Sequence, residues 1–148
     1  MCTLLEALLT AENCPPGADK EVYEAYFQFA AIWALGGAYG ADKGADFRAR
    51  FDAYWRAELG KGAAIKWPEE GTVFDYFIAP GGTVVPAGGG RAEAIKPSCC
   101  IRHWSEVIPA YAHDRACPFE GILVPTLDST RLKAITSMLL KLRKPVML

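Results

Sequence analysis

At 148 residues the chain has room for one ordinary domain, or for a small domain with part of a second. An apolar share of 51% against 22% charged residues is the balance of a globular protein with material for a core. A net charge of -1 removes the electrostatic case for nucleic acid or an anionic membrane surface as a partner.

In chain order, the first expected helix covers roughly Cys2 to Glu12, with Leu4, Leu5, Leu8 and Leu9 on one apolar stripe at helical spacing. Asn13 and the pair Pro15-Pro16 stop it, because proline cannot donate to the helix ladder and restricts the residue before it. Asp19 reads as the N-cap of a second helix, its carboxylate taking free amides of the next turn, and Gly36-Gly37 as its stop. That helix holds Tyr23, Tyr26, Phe27, Phe29, Ile32 and Trp33 on more than one face, so it is buried on several sides. Its apolar run, Ala25 to Leu35, is too short for a bilayer, which needs about 20 residues, and Gln28 interrupts it.

A third helix opens near Asp46 and places Phe47, Phe51, Tyr54, Trp55 and Leu59 at helical spacing before Gly60. Arg48, Asp52 and Arg56, four apart, form a salt-bridge ladder on the opposite, solvated face. The second and third helices are expected to pack through Trp33 and Trp55.

The middle is punctuated by Pro68, Gly71, Pro80-Gly81-Gly82, Pro86 and Gly88-Gly89-Gly90, too often for a long helix. Thr72 to Ile78 is aromatic and β-branched enough for a strand, which Gly81-Gly82 would turn back onto Thr83-Val84-Val85. Ala87 to Lys96 reads as a loop. Further on, Ile122-Leu123-Val124 is a short strand candidate ended by Pro125. Asp128 or Thr126 then caps a helix whose Leu132, Ile135, Leu139 and Leu142 share a face, with Lys141, Arg143 and Lys144 at its negative end. Pro145 stops that helix and Val146-Met147-Leu148 opens an apolar strand that ends in mid-element, which suggests a piece of a longer protein.

Two Cys/His pairs, Cys100-x-x-His103 and His113-x-x-x-Cys117, have metal-like spacing. The stretch between them, with Trp104, Ile108, Pro109 and Tyr111, reads as packing, so incidental residues are preferred to a zinc site. The same histidines beside Cys99, Cys100 or Cys117 carry no local signature of a Cys-His nucleophile. Five cysteines, odd in number and irregularly spaced, suit free thiols in a reducing compartment, and the N-terminus lacks the features of a signal peptide; a cytoplasmic setting is the expectation. Gly36-Gly37-Ala38-Tyr39-Gly40 and Gly88-Gly89-Gly90-Arg91 lack the lysine-hydroxyl pair of a phosphate-binding loop, and no carboxylate pair stands out as an acid/base couple. No catalytic set and no metal ligands are assigned.

Blocks of the sequence resemble dynein heavy chains. Tyr26-Phe27-Gln28-Phe29-Ala30-Ala31-Ile32-Trp33-Ala34-Leu35-Gly36-Gly37 is similar to their YFxFAxxWAxGG helix, and Arg48 to Trp55 to RxxFxxWW. Ile65-Lys66-Trp67-Pro68 matches IKFP, and Gly71 to Ile78 matches GTVFDYYI. Trp104, Ile108-Pro109, Pro118 and Leu123-Val124-Pro125-Thr126 continue the series. Asp128-Ser129-Thr130-Arg131 resembles the DTxR that opens the helix before a phosphate-binding loop, and Lys144 to Leu148 the strand leading into it. The blocks sit closer to axonemal than to cytoplasmic chains.

The resemblance implies a mainly α fold with a small β element: a helical AAA+ lid followed by the start of an α/β AAA+ large subdomain. Residues 1–66 would be the lid of the second module, 67–104 its β-containing extension and linker with a Gly/Pro-rich insertion, and 105–148 the start of the third module. It implies a motor in which ATP or ADP with Mg, bound in the intact ring and not by this chain alone, drives microtubule-based ciliary movement. The partners would be the rest of the ring, intermediate and light chains, and microtubules, in the cytoskeleton of the ciliary axoneme. Val124, Pro125 and Thr126 would line the adenine side of a nucleotide site, or else merely turn a strand into a helix. Without a phosphate-binding loop the chain itself would not hydrolyse ATP. A free-standing helical interaction module and a small zinc-binding protein are the rival readings.

Overall fold

The computed structural model describes residues 1–42, 44–63, 65–81, 99–112 and 118–146. They are mainly helical with two small two-stranded sheets. The chain divides into two compact units, Met1–Arg102 and His103–Leu148.

In the first unit, α1 (Cys2–Leu8) is shorter than its sequence suggests. The side-chain amide of Asn13 donates to the Leu8 carbonyl at 2.7 Å, taking one of the free acceptors at the helix end. Leu4 and Leu8 are buried, whereas Leu9, beyond the end, is 42% exposed. Helix α2 (Lys20–Gly36) is the core of the unit, with ten of its 17 residues buried, but Tyr23 and Phe27, expected inside, lie on an exposed face. Asp19 is its N-cap by backbone only; the side chain makes no capping bond, and the first turn closes through Val22 N–H on the Asp19 carbonyl at 3.0 Å.

Gly36 and Gly37 end α2 as expected, with Gly37 as its C-cap, but not by a left-handed turn. Gly37 stays right-handed (φ -62°, ψ -26°), so neither glycine is there for left-handed backbone. They are there for space. A Cβ on Gly36 would lie 2.6 Å from Phe74 Cζ and 2.8 Å from Phe51 Cε1, and one on Gly37 would lie 2.4 Å from the Trp33 carbonyl oxygen.

Beyond α2 a ribbon absent from the sequence reading pairs β1 (Ala41–Asp42) with β2 (Ala45–Asp46) antiparallel, Ala41 opposite Asp46 and Asp42 opposite Ala45. Gly44 supplies the positive φ of its turn, 82°. Helix α3 (Phe47–Tyr54) opens as expected on Asp46, whose carboxylate accepts from Ala49 N–H at 3.1 Å. It then widens into a π-helical turn, Trp55–Leu59, closed by Gly60 N–H on the Trp55 carbonyl at 2.7 Å. Its expected apolar face is only partly used: Trp55 is buried, but Phe47, Tyr54 and Leu59 are exposed.

The expected strand at Thr72 to Ile78 begins late. Thr72 and Asp75 form a capping box, with Asp75 Oδ2 taking Thr72 N–H and Oγ1 at 2.8 Å each, and this bends Val73–Asp75 into a 3-10 turn. Strand β3 (Tyr76–Pro80) follows, burying Tyr76 and Ile78 in alternation. It pairs with β4 (Cys99–His103). Thr83-Val84-Val85 and the Ala87–Lys96 loop lie outside the described residues.

In the second unit a 3-10 turn (Trp104–Val107) buries Trp104, and a second one covers Phe119–Gly121. Ile122-Leu123-Val124 joins no ladder among the described residues; Leu123 is 75% exposed, and an extended run without a hydrogen-bonding neighbour is no strand. Helix α4 (Leu127–Lys141) is capped by Thr126 rather than Asp128, through Ser129 N–H on Thr126 Oγ1 at 3.1 Å. Arg131 is its buried charge, ion-paired to Asp128. The helix ends with Lys144 N–H on the Leu139 carbonyl (3.1 Å) and Arg143 N–H on the Leu140 carbonyl (2.8 Å). That pair is the Schellman pattern, with Arg143 at φ 55° where glycine normally sits. Val146 is in no strand; Met147 and Leu148 lie outside the described residues.

Candidate functional site

The first unit is organised around Phe74. This fully buried ring meets Trp33 edge-on at 5.6 Å and Phe51 at 5.5 Å, and Phe51 in turn meets Trp55 at 6.0 Å and Tyr39 at 5.8 Å. Trp33 and Trp55 therefore belong to one aromatic cluster but are joined through Phe74 and Phe51 rather than ring on ring. The gap at Gly36 is what lets these two rings reach α2.

A polar network runs beside the cluster. Gln28, only 5% exposed, accepts from the Trp67 indole N–H at 2.8 Å and donates to the Ile65 carbonyl at 3.3 Å and Glu24 Oε1 at 3.2 Å. A buried amide satisfied on both ends fixes the Ile65–Trp67 segment against α2. From α3, Arg56 Nε bonds both Asp52 oxygens (2.9 and 3.0 Å), Arg56 Nη1 donates to the Trp67 carbonyl (3.3 Å), and Asp52 Oδ1 accepts from Val73 N–H (2.8 Å).

The ladder of Arg48, Asp52 and Arg56 is thus no solvated face. Two of its members tie down the segment that leads into β3, and their side chains are 15% and 27% exposed. Arg48 donates from Nε to the Tyr39 carbonyl at 2.8 Å and lies over the Phe74 ring at 5.8 Å. The only sequence signal for this network was Gln28, a polar residue inside an apolar run.

Burial also sets the titration of the unit. Tyr26 is 1% exposed and its hydroxyl finds no partner among the described residues; desolvation first, then Cys99, Cys14, Cys100 and Glu12, holds its phenol well above the usual tyrosine range. Desolvation raises the Cys14 and Cys99 thiols too, which disfavours the nucleophilic thiolate.

The cysteine-histidine pairs gain no support. The Cys100 thiol points to the Ala79 carbonyl at 3.9 Å, and His103 Nδ1 takes Ser105 N–H at 3.1 Å to cap its turn. Among the described residues no three His, Cys, Asp or Glu side chains gather to hold a metal ion, while His113 and Cys117 lie outside those residues. No described helix is long and apolar enough to cross a membrane.

In the second unit a cavity of about 360 Å³ opens between Ala110–Ala112 and Gly121–Leu123, with Pro125 on its wall. Of the three residues assigned to an adenine side, only Pro125 lines it. Val124 is 52% exposed elsewhere on the surface, and the Thr126 hydroxyl is engaged in the α4 cap. Tyr111, Ile122, Leu123 and Pro125 supply the apolar part of a wall that is also substantially polar. Among the described residues, no charged side chain lines it.

A family model described as the dynein heavy chain AAA lid domain matches residues 1–83. The ciliary dynein beta chain of Tripneustes gratilla is 38% identical over all 148 residues, and human dynein axonemal heavy chain 9 is 37% identical over the same span. The flagellar outer arm dynein alpha chain of Chlamydomonas reinhardtii is 30% identical over 147 residues, 99% of this chain. The chain spans about 3% of the length of each of these relatives. No solved structure matches it.

Proposed function

The chain belongs to the dynein heavy chain family, and from that premise we propose that it couples adjacent ATP-binding modules of a motor ring in microtubule-based ciliary movement. Residues 1–66 act as the lid of the second module, 67–104 as its extension, and 105–148 as the opening of the third. The observation that carries this reading is the packing of Phe74 and Trp67 into α2 and α3 just ahead of β3. A displacement of the lid helices reaches β3 through buried side chains, above all the Phe74 ring, and close-packed contacts transmit such displacements rather than absorb them.

ATP with Mg, bound in the intact ring, would supply the free energy of phosphoryl transfer. Pro125, with Ile122 and Leu123, would face the base by apolar contact. No residue of this chain is assigned to the phosphates, since the sequence contains no G-x-x-x-x-G-K-[ST]. The axonemal names of the relatives support a place in the ciliary axoneme, with the rest of the ring as immediate partner.

The test is Phe74→Ala in an axonemal heavy chain carrying this segment. Microtubule gliding should slow severalfold while nucleotide binding at the ring's phosphate loops is retained. Unchanged gliding would overturn the coupling reading. The 148-residue chain alone should show no Mg-ATP turnover above background; robust turnover would overturn its non-catalytic assignment.

A further inference from the structure

Resting on that coupling reading, we propose that Asp52 and Arg56 form a releasable clamp that decides whether β3 is held to the helical core. Three observations converge on this pair. First, it grips the segment entering β3 at both ends: Arg56 Nη1 holds the Trp67 carbonyl at 3.3 Å and Asp52 Oδ1 holds Val73 N–H at 2.8 Å. Bonds of this kind, with one charged member, are the stronger class. The Thr72–Asp75 box uses the amides of Thr72 and Asp75 and leaves the Val73 amide to Asp52 alone.

Second, the closed clamp is not fully satisfied. Arg56 Nη2 is buried and finds no hydrogen-bond partner among the described residues. A charged donor withdrawn from water without an acceptor offsets part of what the other bonds contribute. The unmet donor lowers the cost of opening, which a two-state element requires.

Third, there is room to open. A cavity of about 280 Å³ lies beside Arg56, walled by Ile65, Trp67, Glu69 and the π-helical end of α3. A guanidinium leaving Asp52 has space to move there and can meet water or the Glu69 carboxylate. Meanwhile α2 stays in the core through its own buried Ala25, Tyr26, Phe29, Ala30 and Ile32. Opening would therefore loosen residues 68–78 and spare α2.

Amide hydrogen exchange on the 148-residue chain tests this. Asp52→Ala should accelerate exchange at Val73 to Ile78 about tenfold or more, while Phe29 to Trp33 in α2 changes by less than about twofold. Asp52→Asn, which keeps an oxygen for Val73 N–H but loses the charge for Arg56, should restore part of the Val73 protection. Acceleration of α2 and β3 together would make Asp52 a general stabiliser and overturn the clamp, as would unchanged exchange in β3. Should Asp52→Ala fail to fold, Arg56→Lys decides, because lysine keeps the charge but cannot span Asp52 and the Trp67 carbonyl. Faster exchange confined to 67–78 supports the clamp; uniform or absent acceleration overturns it. Neither result depends on the motor assay, so the clamp and the coupling reading fail separately.

Discussion

Replacing Gly36 by alanine sets two opposed effects against each other. In a helix, Gly→Ala ordinarily stabilises by about 1 kcal/mol, because alanine loses less backbone freedom on folding. Gly36 is the last residue of α2 and needs no unusual φ, so this gain is available. Against it stands the new methyl, which would meet Phe74 Cζ at 2.6 Å and Phe51 at 2.8 and 2.9 Å. A ring tip can sometimes yield, but Phe74 is fully buried and boxed by Trp33 and Phe51. Relief then requires α2, α3 and the Val73–Asp75 turn to separate, and overpacking of this kind costs about 1–3 kcal/mol or more. The clash wins. Gly36→Ala should destabilise the first unit by about 1 kcal/mol net, lowering its thermal midpoint by roughly 5 °C. Gly62, with nothing within 4 Å of an added Cβ, is the control, and Gly62→Ala should be neutral or slightly stabilising. Tryptophan fluorescence through thermal and urea unfolding reads both variants. A Gly36→Ala chain as stable as the original would refute the idea that absent volume, rather than backbone freedom, is why glycine stands there.

Trp33→Ala should cost about 3–5 kcal/mol, and Arg48→Ala about 1–2 kcal/mol through the lost bond to the Tyr39 carbonyl and the contact with Phe74, more than a solvated residue would; urea midpoints of both check the order. Arg143→Gly should stabilise α4 by about 0.5–1 kcal/mol by relieving the left-handed backbone, seen as a higher melting point of the second unit followed by Trp104 fluorescence. The buried phenol of Tyr26 has a folded pKa raised above its unfolded value, so its share of stability is present below the ordinary tyrosine pKa of about 10 and is lost as pH rises beyond it. Melting points measured into that alkaline range should fall more steeply for the original chain than for Tyr26→Phe; parallel slopes would sink the assignment. Iodoacetamide should label the exposed Cys2 and Cys100 before the half-buried Cys14 and Cys99, as read by mass spectrometry; equal rates would contradict the partial burial of the last two.

Periodicity alone determined the helices, because a 3.6-residue apolar pattern and its capping residues are local properties: α2, the Asp46 cap and the run of α4 lie where the residues place them. Family membership was equally legible, since ordered blocks such as Tyr26 to Gly37 and Gly71 to Ile78 carry it without any geometry. What the sequence could not say is which of two chemically similar residues is used for what. Thr126 and Asp128 both offer a cap, and only the path of the backbone selects Thr126. Gly36-Gly37 reads the same whether glycine serves a turn or a close approach, and the rings that need the space come from residues 15 and 38 positions further on, Phe51 and Phe74. Asp52 and Arg56 share one face of a helix at the spacing of a surface pair; nothing local to α3 tells that the Trp67 carbonyl and the Val73 amide will arrive there. The pairing of β3 with β4, some twenty residues downstream, was not legible for the same reason. Contacts between residues distant in the chain depend on how the elements dock, and docking is settled by the fit of whole surfaces rather than by any pattern within one of them.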